Sequence, residues 1–578
     1  MSESVTSILK ERFGLHRLRP MQKQIIERVM GGGDALVVMP TGSGKSLCYQ
    51  LPALAMPGPG VTLVFSPLIA LMEDQVAALK SKGIEAEYIN STLSKRERER
   101  RGKRLAAGEY ELIYATPERM TKPEFVEALA AVEGGVKLLA VDEAHCISKW
   151  GHDLRPAYQR VGEFRKQLGA PPTIALTATA TARVRRDILR SLGRRPESMP
   201  LFATGIERPN LAMSVIPVWD EDNKVEEIKA IAGTATRSRG TGIVYFARIK
   251  DLDAMIARVR PLLPKRQFAI YHGQLAARDK KLIYEEFIEA TPADGLILFA
   301  TNAFGMGVDK PDIRFIIHAQ LPGSVEAYYQ EVGRAGRDGR PSRCVLLYAP
   351  DDLAIQQQFV EWANPSADLL VRVANAIEHS PHADFDVEEL QLLVSGRART
   401  DARGQLEYAL TALAKRGVVE PTRRISRYRF VRTLHHAEVD PKALERKKQH
   451  DLRRLLDVVK MAKSDDLRAF VNHYFDLDDG KPKTGRGGGG RRRRRRGRRP
   501  ARDGHVKPRD GRVKPRDSAS PPGVETDGKK KRRRRRRRRG ATGDAKPPTA
   551  GRPPKTVEGD APKRKRRRRR RRRKRREE

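Results

Sequence analysis

The sequence predicts an α/β protein built on two successive parallel sheets, followed by a helical extension and a low-complexity tail. An apolar run ends at Val38 and leads into a glycine-rich turn, and a second one, Leu138–Val141, ends in an acidic pair. A new series of apolar runs and helical patterns extends from about residue 201 to residue 350, with predicted strand cores and edges at Gly242–Phe246, Tyr271–Leu275 and Leu296–Thr301. Short apolar strands that alternate with helical patterns are typical of parallel sheets with crossover helices.

The turn after the first apolar run has the composition of a phosphate-binding loop. Backbone N–H groups of such a turn face phosphates, Lys45 adds a cation, and the Ser46 hydroxyl can bind Mg²⁺ where the next helix begins. Met39 occupies the position of the first glycine in G-x-x-x-x-G-K-[ST], so an ordinary strand-to-helix turn is the alternative. The predicted nucleotide-binding residues of the turn are Thr41, Gly42, Ser43, Gly44, Lys45 and Ser46.

The acidic pair Asp142 and Glu143 follows the second apolar run, at the end of a strand where ligands bind in open α/β sheets. Asp142 would hold Mg²⁺ with Ser46, and Glu143 would orient and deprotonate the water that attacks a γ-phosphate. The alternative is that both acids cap the following helix. Together with Lys45, the pair favours a nucleotide-hydrolysing site.

Composition indicates an intracellular protein of three or four domains. The 578 residues include 39% hydrophobic side chains, which is enough for sizeable cores. The three cysteines, Cys48, Cys146 and Cys344, lie far apart, so neither a disulfide framework nor a cysteine zinc site is expected. Residues 1–12 lack an apolar signal segment, and no apolar run approaches the roughly 18 residues needed to span a bilayer. We therefore expect a cytoplasmic location (nucleoid-associated in a bacterium, nuclear in a eukaryote) and no membrane partner.

The tail, residues 480–578, contains most of the positive charge. It has 45 Lys and Arg against 10 Asp and Glu, which is +35 of the formal +43 of the chain. It contains no Phe, Trp, Tyr, Leu or Ile, so the sequence predicts disorder. Its arginine runs favour nonspecific binding of DNA or RNA by counterion release over a merely solubilising role. The runs are Arg491–Arg496, Arg532–Arg539 and Arg566–Arg573.

Several motifs of the first 350 residues occur in an order that resembles the RecQ family of DNA helicases. They include Phe13-Gly14 with Arg19-Pro20 and Gln22, the stretch Val64–Val76, Ala175–Thr179, and the aromatic-rich segment Cys146–Tyr158. The resemblance implies two RecA-like domains, ATP and Mg²⁺ as cofactors, and Gln22 as the residue that hydrogen-bonds adenine.

The same resemblance implies contacts with DNA. Ser66 would touch the DNA backbone, while Thr177 and Thr179 would couple hydrolysis to movement. In the aromatic-rich segment, Trp150 could stack on a base, and His152 and Arg155 could report DNA contact to Glu143. A tryptophan that fills a core gap is the structural alternative. Leu154 departs from the family, which usually has phenylalanine there.

Two further motifs resemble the second domain of the family. Thr301–Asp309 resembles a loop that binds DNA phosphate through Thr301 and senses nucleotide through Asp309. Tyr329–Asp338 supplies three residues that the resemblance makes catalytic, Gln330, Arg334 and Arg337. Two arginines three residues apart share a helix face, and by resemblance they reach the γ-phosphate when the domains close. The alternative is a solvated helix face.

Beyond Pro350 the resemblance weakens. Val387–Val394 and Gly404–Arg416 are predicted helices, the second with an apolar stripe, and Val418–Val431 is a predicted hairpin. This outline suggests a winged helix, or else a packing domain. Asp465–Phe475 resembles the start of the zinc module of the family with an acid in place of the first cysteine, so no zinc is expected. Four arginines would lie on the wing: Arg423, Arg424, Arg427 and Arg429.

The predicted domains are residues 1–200, 201–350, 351–479 and 480–578. The expected function is that of an ATP-dependent DNA helicase, with 3′ to 5′ movement implied by the resemblance, acting in repair or recombination. Single-stranded and duplex DNA are the expected partners, RNA could bind the tail, and the resemblance adds a single-strand-binding protein or a topoisomerase. An RNA helicase and an ATP-regulated nucleic-acid bridging protein are the alternatives.

Overall fold

The computed structural model divides into two units, Met1–Arg486 and Gly487–Glu578. It describes residues 3–148, 156–204, 208–234, 240–305, 308–380, 384–395, 403–422 and 427–475, all of them in the first unit. Trp150, His152, Arg155 and the arginine-rich tail therefore lie outside the described residues. No helix in these ranges is long and apolar enough to cross a membrane.

The first sheet has seven parallel strands in the order β3-β4-β2-β5-β6-β1-β7. Strands β1 and β2 are buried along their whole length, as expected for strands covered by helices on both faces. The strands are β1 Ala35–Val38, β2 Val61–Phe65, β3 Ala86–Ile89, β4 Leu112–Ala115, β5 Val136–Val141, β6 Thr173–Thr177 and β7 Leu201–Ala203. The helices are α1 Glu3–Phe13, α2 Pro20–Met30, α3 Leu47–Ala55, α4 Ile69–Lys80, α5 Lys95–Ala106, α6 Pro123–Ala130, α7 Val161–Gln167 and α8 Ala182–Ser191.

The position of strand β7 shows that the first domain extends past residue 200, where the sequence analysis predicted its end. Leu201 pairs with Leu36 of β1, so the first sheet continues beyond residue 200. The chain adds this short parallel strand at the edge of the first sheet before it enters the second, and sequence alone did not indicate the pairing.

The second sheet has six parallel strands in the order β10-β11-β9-β12-β13-β8. The predicted strand at Tyr271–Leu275 is misplaced, because β10 ends at Tyr271 and the following residues form the turn to the next helix. The strands are β8 Leu211–Pro217, β9 Thr241–Phe246, β10 Phe268–Tyr271, β11 Ile297–Thr301, β12 Ile313–His318 and β13 Ser342–Tyr348. The helices are α9 Glu221–Thr234, α10 Ile249–Val259, α11 Ala277–Glu289 and α12 Val325–Val332.

The helical extension contains both predicted helices and the predicted hairpin. Leu406, Leu410 and Leu413 form the buried stripe of the second helix. The helices are α13 Asp352–Ala363, α14 Ala367–Glu378, α15 Val387–Ser395, α16 Arg403–Lys415, α17 Pro441–Ala462 and α18 Leu467–Phe475, and the antiparallel hairpin is β14 Val419–Pro421 with β15 Tyr428–Phe430.

The hairpin does not present its described arginines as free cations. Arg427 makes ion pairs with Asp384, Asp386 and Glu389 at 2.9–3.2 Å, and Arg429 pairs with Glu420. Arg423 and Arg424 lie outside the described residues. The positive charge of the predicted wing is therefore largely neutralised at Arg427, because acidic residues some 40 positions upstream fold against it.

The segment expected to resemble a zinc module is helix α18, packed on the second sheet domain. Asp466 accepts a hydrogen bond from the N–H of Ala469 at 2.9 Å and so caps the helix. Tyr474 donates to Glu326 at 3.0 Å, and the ring of Phe475 lies 5.5 Å from that of Tyr329. Protein contacts thus hold this segment in place.

Because the cysteine ligands of a zinc module are missing around Asp466, we predict that the purified protein contains no stoichiometric zinc. Elemental analysis should find well under one zinc per chain, and a chelator should leave the melting temperature unchanged. A stoichiometric zinc signal that disappears together with the folded state would contradict the interpretation of Asp466 as a helix cap.

Candidate active site

The phosphate loop connects β1 to α3. Gly42 and Gly44 have φ values of 73° and 80°, a region that favours glycine. The Lys45 ammonium donates to the carbonyls of Met39 and Pro40 at 3.1 and 3.2 Å, so it curls over its own loop. Burial lowers the pKa of Lys45, and the nearby charges of Glu143 and Asp142 partly oppose this. The loop is thus closed around a partly buried cation.

Gln22 lies directly beneath the phosphate loop. Its amide nitrogen donates to the carbonyls of Ser43 and Gly44, both at 3.2 Å, and its oxygen accepts from the N–H of Arg19 at 2.9 Å. A Cβ at Gly44 would approach the Gln22 nitrogen to 2.5 Å. Gln22 also lines a cavity of about 470 Å³ beside the loop, where the predicted contact with adenine would form.

The acidic pair lies at the carboxyl end of β5. Glu143 has a φ of 48°, and its N–H donates to Asp142 at 2.9 Å. Burial, together with the charge of Glu143, raises the pKa of Asp142 to about 7. Burial alone would also raise the pKa of Glu143, but the hydrogen bond and charge of His145, together with Lys45 and Arg334, lower it overall. The two neighbouring carboxyls therefore differ in their affinity for a proton.

His145 connects the acidic pair to the next strand. Its Nδ1 lies 3.1 Å from Glu143 Oε2 and 3.0 Å from the hydroxyl of Thr177. Burial would lower its pKa, but the neighbouring Cys146 and Glu143 raise it to about 10. Thr177 in turn donates to the carbonyl of Thr179 at 3.0 Å. A continuous set of contacts thus runs from Glu143 to the end of β6.

The second sheet domain completes the site. Gln330 donates to the Thr179 hydroxyl at 3.5 Å, and Thr41 of the phosphate loop donates to the carbonyl of Gly333 at 2.9 Å. Arg337 lies so close to Gly42 that a Cβ there would be 3.2 Å from its Cγ, and it makes an ion pair with Asp309. Arg334, only 5% exposed, contributes to the lowered pKa of Glu143. The structure therefore brings Arg337 to the phosphate loop and Arg334 near Glu143. The predicted shared helix face is wrong, because α12 ends at Val332 and both arginines lie in the turn that follows it.

A cavity of about 560 Å³ lies in this cleft, within the usual range for small-molecule sites. Arg208 also lines this cavity, but the sequence analysis did not predict it as a site residue. Its location in the segment between the two series of strands could have indicated a contact with both domains. The cavity is lined by Arg19, Pro20, Met21, Gln24, Met39, Pro40, Thr41, Gly42, Ser43, Thr204, Arg208, Gly336, Arg337 and Gly339.

The described residues predicted to contact DNA or couple to it are buried hydroxyls. Thr177 and Thr179 belong to the set of contacts that starts at Glu143, as given above. Ser66 is 2% exposed, and Thr301, which is 6% exposed, accepts from the N–H of Ala303 at 3.4 Å. None of the four is openly exposed to a ligand in this arrangement.

Two protein families match successive parts of the chain. Residues 19–188 match the DEAD/DEAH box helicase family, and residues 223–339 match the helicase conserved C-terminal domain. The probable ATP-dependent DNA helicase RecS of Bacillus subtilis is 39% identical over 396 residues, which is 68% of this chain and 77% of that protein. The ATP-dependent DNA helicase RecQ of the same organism is 40% identical over 411 residues. This chain belongs to the RecQ family.

The match to that RecQ protein covers 70% of this chain and 66% of the relative, just under two thirds of it. A crystal structure of the DUF1998 helicase MrfA bound to DNA has a TM-score of 0.50 at 20% identity, and the match covers 76% of this chain and 60% of that one. At that identity the structural match supports the fold of this RecQ-family chain alone, namely two RecA-like domains with a helical extension.

Proposed function

We propose that this chain is an ATP-dependent DNA helicase that moves 3′ to 5′ along one strand and separates duplex DNA in repair or recombination. The contact of Arg337 with Gly42 is the observation that carries the proposal, since it brings a second-domain arginine side chain against the phosphate loop of the first. When the charges that stabilise a transition state come from the opposite domain, hydrolysis depends on closure of the two domains. Each cycle of ATP hydrolysis can then move the two domains relative to each other and so advance the protein along DNA.

In this proposal the residues of the cleft have separate roles in phosphoryl transfer. Lys45 holds the outer phosphates, Glu143 accepts a proton from the attacking water, and Arg334 and Arg337 stabilise the charge on the γ-phosphate. Ser46 and Asp142 would hold Mg²⁺, because a hydroxyl and a carboxylate supply the oxygen ligands that this ion prefers. The metal would neutralise charge on the phosphate oxygens.

Coupling to DNA is proposed to run through the contacts of His145. They link Glu143 to Thr177, then to Thr179, and from there to Gln330 of the second domain. A movement of either domain on DNA would change the position of Glu143 through these contacts. Ser66 and Thr301 are the proposed contacts with the DNA backbone.

ATP hydrolysis measured with single-stranded DNA and with RNA of the same sequence tests the proposal. DNA should stimulate turnover more strongly, and duplexes with a 3′ tail should be unwound in preference to those with a 5′ tail. Stronger stimulation by RNA would favour the RNA-helicase alternative, whereas ATP hydrolysis without any unwinding would favour a bridging protein.

Replacing Trp150 with alanine should remove DNA stimulation and unwinding while basal ATP hydrolysis stays nearly unchanged. Stacking of a base on an aromatic side chain contributes roughly 1–3 kcal/mol, so DNA affinity should fall about 5- to 150-fold. Fluorescence anisotropy with labelled single-stranded DNA measures the change, and Trp150→Phe is the matched control because it keeps a stacking surface. An unfolded Trp150→Ala protein would instead support a core position for this tryptophan.

A further inference from the structure

Arg208 lies in the segment that connects the two sheets. Strand β7 of the first sheet ends at Ala203, and strand β8 of the second begins at Leu211. Arg208 lines the 560 Å³ cavity of the nucleotide cleft together with Thr41 and Arg337. A side chain in this position can contact both domains at once.

The Arg208 guanidinium donates to backbone carbonyls of both catalytic loops. One nitrogen, Nη2, bonds to the carbonyls of Ala335 and Gly336 at 2.8 and 2.7 Å. The other, Nη1, lies 3.4 Å from the carbonyls of Thr41 and Gly333. The first pair belongs to the segment between Arg334 and Arg337, and Thr41 belongs to the phosphate loop.

The surrounding packing fixes the position of the loop between Arg334 and Arg337. A Cβ added at Gly333 would approach the Thr41 hydroxyl to 2.5 Å, so the two loops touch with little space to spare. Asn210, two residues after Arg208, donates to the carbonyls of Gly336 and Arg340 at 2.8 and 3.0 Å. The connecting segment thus binds the carbonyl groups of this loop through two neighbouring side chains.

Only arginine among the side chains offers five N–H donors in a rigid planar fork, and a fork of this kind can bridge two loops. Burial lowers the pKa of Arg208, yet a guanidinium stays charged in proteins. The hydrogen bonds of a charged donor are stronger than those of a neutral one. In this structure Arg208 therefore holds carbonyl groups of the two loops together.

We propose that Arg208 is a positioning residue for ATP hydrolysis, which orders the segment that presents Arg334 and Arg337 against the phosphate loop in the closed state. This inference rests on the proposed ATP hydrolysis. Arg208 acts through the two loops. We expect it to stabilise the transition state of hydrolysis more than the complex with nucleotide, because the phosphate loop alone can hold ADP when the domains are open.

The test compares Arg208→Gln, Arg208→Lys and the wild-type protein, with Arg343→Gln as the control. Arg343 is an exposed arginine on β13, outside the cleft. Loss of a charged hydrogen bond should lower the kcat of DNA-stimulated ATP hydrolysis about 10- to 100-fold in Arg208→Gln, with KM for ATP changed less than about threefold. Arg208→Lys should recover part of the loss, and Arg343→Gln should behave as the wild type.

Binding of two nucleotide probes separates positioning from damage to the fold. The affinity of Arg208→Gln for Mg·ADP with aluminium fluoride, a mimic of the transition state, should fall about as much as kcat, while its affinity for Mg·ADP stays within about twofold. Unchanged hydrolysis in Arg208→Gln, or an equal loss for both probes together with a lower melting temperature, would overturn the inference. Absence of ATP hydrolysis by the wild type would instead contradict the proposed function, and the inference with it.

Discussion

Replacing Glu143 with glutamine should lower ATP turnover at least about 100-fold while ATP still binds. The amide keeps the shape of the side chain but cannot accept the proton of the attacking water, and general-base catalysis contributes about 10²- to 10⁴-fold. The lowered pKa of Glu143 keeps it ionised and ready to accept that proton at neutral pH. Steady-state ATP hydrolysis and equilibrium binding of a fluorescent ATP analogue measure the two properties separately.

Lys45→Ala is the matched comparison, because it should abolish both hydrolysis and tight nucleotide binding. Lys45 is the partly buried cation of the phosphate loop, so its removal takes away charge that the nucleotide needs in the ground state as well as in the transition state. If both variants lost nucleotide binding to the same extent, Glu143 would not have the separate role assigned to it.

Deleting residues 480–578 should weaken binding to duplex DNA by orders of magnitude at low salt. The deleted segment carries 45 Lys and Arg, and each neutralised phosphate contributes about −0.9 to the slope of log K against log salt. The truncated protein should therefore show a slope shallower by several units. Turnover at saturating DNA should stay nearly unchanged, because every predicted catalytic residue precedes the deletion. Titrations at four or five salt concentrations measure the slope.

An internal deletion of Arg532–Arg539 is the control for the tail. It removes one arginine run and leaves the rest of the tail, so it should change the slope by only part of the full effect. Equal slopes for the full-length and truncated proteins would show that the tail is not a nucleic-acid anchor. A solubilising or protein-docking role would then replace it.

The errors of the sequence-based prediction share a physical origin. The four arginines were predicted to lie on a basic wing, but Arg427 pairs with carboxylates such as Asp384, and nothing local in sequence reports a partner so far upstream. Strand β7 was missed because three residues are too few for a periodic pattern, and its pairing with β1 decides its place. Tyr271–Leu275 was misplaced because Tyr271 is already the last residue of β10, and Gly273 lies in the turn that leads to α11.

The sequence by itself determined the chemistry of the protein. Glycines around Lys45, an acidic pair after an apolar strand and two series of strands and helices are local signals, because backbone conformation and apolar periodicity depend on neighbouring residues. Tertiary structure alone decided how these parts meet. It placed Arg337 on the phosphate loop, Gln22 beneath that loop and Arg208 between the two domains. Such contacts join residues distant in the chain, and their geometry depends on how two separately formed sheets pack together.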